Sequence, residues 1–421
     1  MTKNAVVIGA GLAGIQVSQQ LTDLGITIHL IEKEPIIGGL STYLGRVFPT
    51  GDCALCLDAS NEMYDGHHRK CQYRGLVTEK KNLKLYTQSE VKSITEADSG
   101  FKISIKSEPR YVNLDRCVVC LECIDVCDVE VADEYALRGG TRKAIYRPIP
   151  QGVPHAPLID LEHCTKCGKC VDVCKVNAID LEEKESSKTI NTDAVIIATG
   201  VEEKIPLDFP GYEYRTSDDI ISHAELARML DPTGDTNGVV TTSAGDVVSK
   251  VTMVLCVGSR DKTAFEYCSQ ACCTYSLKHA EMLRELGIDV TICYMDIRVP
   301  NHSFHYLESS IEKGVKFIRG KPDKVVVRSG KPVTVVEDTQ SQKLMQIESD
   351  LVVLASPLAP LGIGNDPVSA FLGEYGFAQR VVKERKVYAC GTATGPTDIP
   401  TSIAEANAVA LRVYSDLKGG I

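Results

Sequence analysis

Residues 4–34 read NAVVIGAGLAGIQVSQQLTDLGITIHLIEKE, and this stretch decides the fold. The apolar run AVVIG predicts a buried parallel strand, followed by a helix and a second strand. Gly9, Gly11 and Gly14 form G-x-G-x-x-G, which allows a sharp turn, close approach of a pyrophosphate and tight helix packing. The helix N-terminus faces the phosphates, and Glu32 ends the second strand, where a carboxylate can bind ribose hydroxyls. The sequence therefore predicts a dinucleotide site.

Three further segments favour FAD over NAD at this site. EKEPIIGGL follows the acid, TDAVIIATG lies near residue 200, and KVYACGTATGPTDIPTSIAEANAVA leads into a helix that starts near Pro400. These segments resemble the flavin-contacting signatures of two-dinucleotide-domain flavoproteins, although Thr392 stands where those proteins usually carry an acid. The resemblance implies the following FAD-binding residues: Gly9, Gly11, Gly14, Glu32, Lys33, Gly38, Gly39, Gly200, Gly391, Thr392 and Ile399.

Residues 117–127 and residues 164–174 both read C-x2-C-x2-C-x3-C. Two such runs are typical of a 2[4Fe–4S] ferredoxin, in which three thiolates of each run bind one cluster and the fourth binds the other. Zinc is the alternative, but it prefers paired C-x2-C ligands. We therefore predict two crossed ligand sets: Cys117, Cys120, Cys123 and Cys174 for one cluster, and Cys164, Cys167, Cys170 and Cys127 for the other.

The position of the two cysteine runs predicts an inserted domain. The strand-rich LKLYTQSEVKSITEADSGFKISIK precedes them, and INTDAVIIATG resumes the FAD domain after them. Neither run ends in the usual proline, since Asp128 and Lys175 follow the last cysteines. Because the insertion lies close in sequence to flavin-contacting segments, we expect electrons to pass between flavin and clusters.

Residues 250–296, KVTMVLCVGSRDKTAFEYCSQACCTYSLKHAEMLRELGIDVTICYMD, predict a second strand–turn–helix–strand unit with a helix over roughly 263–286. Cys256 stands where an NAD(P)-binding loop carries its first glycine, so we expect the NAD(P) site to be lost. Cys268 and Cys272 would share one helix face, with Cys273 adjacent and Cys256 at the end of the strand. These four cysteines, hereafter the Cys256 group, are predicted to bind a further [4Fe–4S] cluster. The alternative is that they are buried structural cysteines.

Five of the seventeen cysteines lie outside these sets. Cys53, Cys56 and Cys71 allow three interpretations: a further cluster completed by His67 or His68, a redox dithiol formed by Cys53 and Cys56, or structural cysteines. Cys293 and Cys390 lie in apolar strands and are predicted to be core residues.

The composition of the 421-residue chain excludes several function classes. A formal charge of −10 argues against binding to nucleic acid or to anionic membranes. No apolar run reaches the roughly 18 residues of a membrane helix. The N-terminus enters a strand at once, so we expect no signal peptide and a cytoplasmic location. Cysteines clustered in a cytosolic sequence usually bind metal.

The combined motifs resemble the heterodisulfide reductase A-like flavoproteins of anaerobic energy metabolism. The resemblance rests on GGLSTYLGRVFPTGDCALC, RKAIYRPIPQGVPHAPLIDLEHCTKCGKC, YCSQACCTYSLKHA and GPTDIPTSIAEANAVA, and covers nearly the whole chain. It implies a [4Fe–4S] cluster of unusual spacing in the Cys256 group. It also implies a catalytic role for Lys278, which matches a lysine near the reactive flavin edge; the residues alone would indicate a solvated helix lysine. Larger members carry an extra N-terminal domain and a C-terminal ferredoxin.

These observations predict an α/β two-dinucleotide-domain flavoprotein, similar to thioredoxin reductase, with an inserted α+β ferredoxin. The expected domains are an FAD domain in three parts (1–108, 183–249 and 356–421), a ferredoxin (109–182), and a second Rossmann-like domain with the Cys256 group (250–355). One FAD and three [4Fe–4S] clusters are expected, or four if the Cys53 region binds one.

The expected function is that of an electron-transfer subunit in a heterodisulfide reductase-like complex, in which the flavin splits electron pairs; the resemblance implies that it does so by electron bifurcation. The expected partners are iron–sulfur and hydrogenase- or dehydrogenase-type subunits and a second copy of the chain. One alternative is an NAD(P)H-dependent flavoprotein resembling the small subunit of glutamate synthase. The other is a passive electron-relay or scaffold subunit.

Overall fold

A computed structural model of the chain describes residues 3–45, 80–97, 99–150, 152–204, 211–214, 216–300, 304–361, 367–382 and 386–419. Its N-terminal part alternates strands with a helix and then continues in two long strands. The elements are β1 (Asn4–Ile8), α1 (Leu12–Asp23), β2 (Thr27–Ile31), β3 (Leu83–Tyr86), β4 (Ser89–Ala97) and β5 (Gly100–Ser107).

The inserted segment contains only short elements. They are α2 (Glu122–Asp125), β6 (Glu130–Ala132), β7 (Thr141–Lys143), β8 (Ile145–Tyr146), β9 (Leu158–Ile159) and α3 (Lys169–Val173). Its small apolar core includes Val112, Ile145 and Ile159, against which ferredoxin cysteines pack. The long strand β10 (Ser186–Thr192) follows and pairs antiparallel with β5, with Ser186 opposite Ser107. This pairing brings the two ends of the insertion together at residues 107 and 186.

The first large sheet has the strand order β22-β23-β11-β1-β2-β3. It is completed by β11 (Ala194–Ile197) and by the C-terminal β22 (Val381–Val382), β23 (Val387–Ala389) and α7 (Ile399–Lys418). β1 lies in the middle, parallel to both β11 and β2. Helices α1 and α7 pack against one face through buried residues such as Ile15, Ala406 and Ala410. Because both faces of these strands are buried, they are apolar throughout.

The second large sheet is parallel, with the strand order β13-β20-β14-β15-β16. Its part of the chain contains β13 (Ile220–Ser222), α4 (His223–Leu230), β14 (Lys250–Val254), α5 (Cys272–Glu285), β15 (Asp289–Tyr294), α6 (His305–Glu312), β16 (Lys316–Arg319), β17 (Lys324–Arg328), β18 (Lys331–Asp338), β19 (Lys343–Glu348) and β20 (Leu351–Leu354). β13 pairs with β20, so the second domain begins about 30 residues before the predicted boundary at 250.

Two crossing segments connect the two large sheets. β12 (Val201–Glu203) leaves the first sheet after β11, and β21 (Leu358–Pro360) leaves the second after β20. They pair antiparallel over three residues, with Val201 opposite Pro360. This arrangement is a mixed α/β fold with two nucleotide-type domains, in which the inserted segment leaves the first domain between β5 and β10.

Candidate functional site

The loop between β1 and α1 has the backbone geometry that a dinucleotide site needs. Gly9 has φ +96°, and a Cβ there would lie 2.4 Å from the carbonyl oxygen of Ala198. A Cβ at Gly14 would lie 2.0 Å from the carbonyl oxygen of Gly9. Beside Gly11, by contrast, no described atom lies within 4 Å of the Cβ position. The first and third glycines thus permit the turn and the packing, whereas the second borders open space.

The Gly38–Gly39 segment lies directly against this loop. The Gly38 amide donates a 2.7 Å hydrogen bond to the carbonyl oxygen of Ala10. A Cβ on Gly39 would approach Gly11 Cα to 3.1 Å. The segment that follows the acidic residue in sequence therefore closes one side of the predicted pyrophosphate site.

The two remaining flavin-type segments also reach the start of α1. A Cβ on Gly391 would meet the Ala13 side chain at 2.4 Å, and one on Gly200 would lie 3.6 Å from Thr392 Oγ1. Ile399 is the first residue of α7, whose N-cap Asp398 accepts a 2.9 Å hydrogen bond from the Thr401 amide. The structure thus brings the predicted FAD segments together around one helix N-terminus.

Glu32 has a different environment from the one that a ribose contact alone would require. Its carboxylate is buried and accepts hydrogen bonds from the Ala10 amide at 2.7 Å and the Glu34 amide at 3.0 Å. Burial raises the pKa of Glu32, and the two amide hydrogen bonds oppose this shift. Glu32 therefore fixes the glycine loop itself, while ribose binding stays a prediction. The neighbouring Lys33 is exposed.

The inserted domain contains two cavities, each surrounded by four cysteines. One, of about 360 Å³, is lined by Cys117, Cys120, Cys123 and Cys174. The other, of about 350 Å³, is lined by Cys127, Cys164, Cys167 and Cys170. The fourth cysteine of each run thus lies at the cavity of the other run, in the crossed arrangement that the spacing predicts. Among the described residues, no group of three or more His, Cys, Asp or Glu side chains is placed to hold a single metal ion.

The cysteine loops use left-handed backbone conformations to turn around these cavities. Val119 and Leu121 have φ of 58° and 68° in the first run, and Lys166 and Gly168 have φ of 54° and 81° in the second. The Lys166 amide donates a hydrogen bond to Cys164 Sγ at 3.4 Å. Such N–H···S bonds stabilise the negative charge of cluster ligands and tune the reduction potential.

In the Cys256 group, three of the cysteines are in direct contact. Cys256 follows β14 after one residue, and its sulfur is hydrogen-bonded to that of Cys272. Cys272 is in turn hydrogen-bonded to Cys273, and both begin α5. Cys273 Sγ also accepts a hydrogen bond from the Arg298 amide at 3.4 Å. All three are buried.

The prediction of a helix from about residue 263 is wrong, and with it the shared helix face of Cys268 and Cys272. The helix begins at Cys272. Before it the chain folds back on itself: the Phe265 amide donates to the Gly258 carbonyl at 3.0 Å, and the Arg260 amide to the Tyr267 carbonyl at 3.0 Å. These non-local hydrogen bonds satisfy the backbone without helical pairing, and they place Cys268 in a loop.

That loop has the same local geometry as the ferredoxin cysteine loops. Gln270 has φ 55°, and its amide donates to Cys268 Sγ at 3.4 Å. In the ferredoxin, Lys166 has φ 54° and its amide donates to Cys164 Sγ at 3.4 Å. In both places, a left-handed residue two positions after a cysteine directs its N–H at the sulfur.

A set of charged side chains lies beside the Cys256 group. Asp296 pairs with the guanidinium groups of both Arg260 and Arg298. Hydrogen bonds from Cys272 and from Arg260 lower the pKa of Cys256 to about 7, despite its burial. A thiol that ionises near neutral pH is suited to binding metal, since the thiolate is the ligand.

Lys278 is half-buried on α5, and desolvation lowers its pKa to about 8. Behind it lies a buried hydrogen-bond chain that the sequence did not reveal. His223 Nδ1 and His279 Nδ1 are 2.9 Å apart, and Ser276 Oγ lies 3.0 Å from His223 Nε2. Because His223 and His279 are 56 positions apart, no local pattern could have indicated this pair.

The remaining cysteine predictions have two outcomes. Cys293 and Cys390 are buried, as predicted for core residues. Cys53, Cys56, Cys71, His67 and His68 lie outside the described residues. Among the helices that the structure describes, none is long and apolar enough to cross a membrane.

Two family models match parts of the chain. Residues 116–179 match a 4Fe-4S dicluster domain, and residues 7–55 match an NAD(P)-binding Rossmann-like domain. Among solved structures, thioredoxin reductase from T. acidophilum has a TM-score of 0.51 at 16% identity and covers 98% of this chain and 99% of its own. Thioredoxin reductase from Lactococcus lactis has a TM-score of 0.52 at 14% identity and covers 99% of each chain. The predicted fold class is thereby confirmed.

Curated relatives give a more specific likeness. An iron-sulfur subunit of the CoB–CoM heterodisulfide reductase of Methanopyrus kandleri is 38% identical, over 97% of this chain and 63% of its own length. A subunit of the H2/formate:CoB-CoM heterodisulfide,ferredoxin reductase of Methanococcus maripaludis is 37% identical, over 99% of this chain and 65% of its own length. The chain thus spans less than two thirds of these relatives, and it is a heterodisulfide reductase A-like protein.

Proposed function

We propose that the chain is an FAD- and [4Fe–4S]-containing electron-transfer subunit of a heterodisulfide reductase-like oxidoreductase. The observation that carries this proposal is the pair of cavities in the inserted domain, each lined by four cysteines drawn from both runs. The insertion leaves and rejoins the domain that holds the glycine loop. Iron–sulfur clusters and a dinucleotide would therefore be bound by one folded unit.

The residues around α1 suit FAD. The open space beside Gly11 can admit a pyrophosphate, and the N-terminus of α1 offers it free amides. Gly38, Gly39, Gly200 and Gly391 keep side chains away from this region. When bound, FAD supplies the exchange between two-electron and one-electron chemistry, and the clusters supply one-electron transfer.

The Cys256 group suits a third cluster. Cys256, Cys272 and Cys273 are buried together, and the Cys268 loop has the N–H···S geometry of a ferredoxin loop. Their chain position is the one at which a pyridine-nucleotide loop would need glycine. We infer that this domain binds a cluster where related flavoproteins bind NAD(P)H.

Mixing the oxidised holoprotein with NADPH tests this inference against the glutamate synthase-like alternative. Without an NAD(P) site, NADPH alone should leave the flavin absorbance unchanged on the stopped-flow timescale. Fast bleaching of the flavin by NADPH would contradict the proposal. Dithionite serves as the positive control, because it needs no nucleotide site.

Rapid freezing after photoreduction of the flavin tests electron flow directly. Electrons should leave the flavin and appear as EPR signals of reduced clusters. A flavin that stays reduced beside oxidised clusters would contradict the proposal. If electrons pass but the Lys278→Met variant leaves the flavin potential unchanged, the passive-relay alternative gains support.

Electron bifurcation, other subunits as partners, homodimerisation and a cytoplasmic location are the finer parts of the proposal. They are supported by the names of the relatives, which describe subunits that act on a heterodisulfide together with ferredoxin. A reductive titration tests bifurcation, which requires the two flavin electrons to leave at widely separated potentials. Two electrons that leave at similar potentials would count against it.

A further inference from the structure

The inserted ferredoxin contacts both nucleotide-type domains. Toward the first domain, the buried Arg110 guanidinium donates to the carbonyl oxygen of Pro35 at 2.8 Å and to that of Pro157 at 3.1 Å. The Ile37 amide donates to the Val153 carbonyl at 2.8 Å. One side of the insertion is therefore anchored beside the Gly38–Gly39 segment.

Arg138 makes the contact on the other side. It lies in a tight turn of the insertion in which Leu137, Gly139 and Gly140 all have positive φ, of 64°, 94° and 126°. A Cβ on Gly140 would lie 2.4 Å from Asp235 Oδ2, so the turn sits against the second domain without room for a side chain. The turn thereby projects the Arg138 side chain into that domain.

The Arg138 guanidinium is bound through all three of its nitrogens. Nε and Nη2 donate to the carbonyl oxygen of Asp218 at 3.2 and 2.9 Å. Nη2 also donates to Asp219 Oδ1 at 3.0 Å, and Nη1 donates to the carbonyl oxygen of Thr241 at 2.7 Å. All of these acceptors belong to the second domain. Only the planar fork of arginine can serve them together, because a lysine ammonium is a single point.

The partners of Arg138 are themselves fixed. The side chains of Arg138 and Asp219 are 14% and 13% exposed, so their ion pair is less screened than a surface pair. Asp219 also accepts hydrogen bonds from the Ser243 amide at 2.6 Å and from Ser243 Oγ at 3.1 Å. The arginine thus joins the turn of the insertion to two loops of the second domain at once.

This contact matters because the covalent connection between the two large domains is slender. β12 and β21 pair over only three residues, and such a two-stranded connection resists rotation weakly. The insertion, anchored by Arg110 on one side and by Arg138 on the other, provides a separate non-covalent link. It connects the cluster cavities to the domain that carries the Cys256 group.

We propose that Arg138 is a positioning residue that locks the inserted ferredoxin against the second domain and so fixes the distance between its clusters and the Cys256 group. The consequence for electron transfer rests on the proposed function, since tunnelling rates fall steeply with distance. The mechanical part, a lock between two domains, does not depend on any cofactor.

Hydrogen exchange of the holoprotein tests the lock. In Arg138→Gln, the amides of residues 217–222 and 239–243 should exchange about tenfold faster than in the wild type, because Asp219 and Thr241 lose their partner. Arg138→Lys should be intermediate. The control is Lys143→Gln, which removes a positive charge from the same hairpin but whose partner Glu130 lies within the insertion. Wild-type exchange in Arg138→Gln would overturn the proposal.

A second readout separates positioning from simple destabilisation. Rapid-freeze EPR should show electron transfer between the ferredoxin clusters and the Cys256-group cluster slowed at least tenfold in Arg138→Gln, with iron content and cluster potentials unchanged. Equal transfer rates in the two proteins would contradict positioning. If the wild type shows no such transfer, the proposed function fails while the exchange data still decide on the lock. Asp219→Asn, which removes the ion pair from the other side, replaces Arg138→Gln if that variant does not fold.

Discussion

Cys256 combines a strained backbone with a reactive side chain. Its φ of 60° is in the left-handed region that the glycine of a nucleotide loop would occupy, as Gly9 does at 96°. A non-glycine residue keeps such a conformation only where its surroundings enforce it. Here the sulfur contact with Cys272 and the hydrogen bond from Arg260 hold the residue in place.

Replacing one member of the Cys256 group should remove one cluster only. Cys256→Ser and Cys268→Ser should each lower the iron content by about four atoms per chain, because one cubane is lost. The ferredoxin EPR signals should persist, since their ligands lie in a separate domain. Cys293→Ser, a buried cysteine of β15 outside the group, is the control and should keep its iron. Full iron content in Cys256→Ser would show that the group is structural.

Arg260 should raise the reduction potential of the Cys256-group cluster. Its positive charge and its hydrogen bond to Cys256 favour the more negative, reduced state. Arg260→Gln should therefore shift the midpoint potential of this cluster downward in an EPR-monitored titration. Arg298→Gln is the matched control, because the Arg298 contact to Cys273 comes from the backbone amide and survives the change. Equal shifts in both variants would contradict the assigned role.

Lys278 should give the flavin potential a pH dependence. Desolvation lowers the pKa of Lys278 from 10.5 to about 8, so its charge is present at pH 7 and is lost as the pH rises through 8. If it faces the flavin, Lys278→Met should lower the flavin midpoint potential at pH 7 and change it little at pH 9.5. Spectroelectrochemistry at both pH values measures this. A variant that matches the wild type at pH 7 would rule out a flavin role.

The residues that the sequence predicted best are those with a local motif. Gly9, Gly11 and Gly14 follow one strand directly, and the ferredoxin cysteines have a fixed spacing, so both sets could be assigned without a structure. The His223–His279 pair and the Arg138–Asp219 pair could not, because each joins residues more than 50 positions apart. The buried hydrogen bonds of Glu32 to backbone amides were also missed, since the motif suggests only a ribose contact.

Within the β1–α1–β2 element, two glycines should respond differently to the same change. Gly11→Ala should leave folding and iron content intact, because the space beside Gly11 is open. It should nevertheless weaken FAD binding about tenfold or more, or at least ~1.4 kcal/mol, since the methyl group occupies the approach of the pyrophosphate. Fluorescence titration of the apoflavoprotein with FAD measures this loss.

Gly14→Ala is the contrasting variant. Its Cβ would lie 2.0 Å from the carbonyl oxygen of Gly9, so the element itself must shift and thermal stability should fall. If Gly11→Ala binds FAD as tightly as the wild type, the pyrophosphate does not lie at this loop.

At the scale of elements, the sequence was reliable where periodicity is local. β1, β2 and β15 lie where their apolar runs predict them, and the last helix begins at Ile399, close to the expected Pro400. The helix expected from 263 begins instead at Cys272, because hydrogen bonds from Phe265 to Gly258 and from Arg260 to Tyr267 fold the preceding residues into a loop. The start of the second domain was missed because the short β13 is recognisable only by its pairing with β20.

The whole molecule consists of two nucleotide-type domains and a ferredoxin that contacts both. The sequence predicted this order of units, since each has its own motif. It could not predict how the units are held, because Arg110 and Arg138 resemble any other arginine until their acceptors are known. The arrangement places three groups of four cysteines in one chain with a single glycine-loop site, and the proposed electron transfer depends on this combination.

Iron and flavin analysis of the anaerobically purified protein tests this account most directly. About twelve iron atoms and one FAD per chain are expected, corresponding to three cubanes. About sixteen would add a cluster from the Cys53 region. About eight irons, or a chain that binds no flavin, would contradict the claim that a flavin and three clusters share this fold.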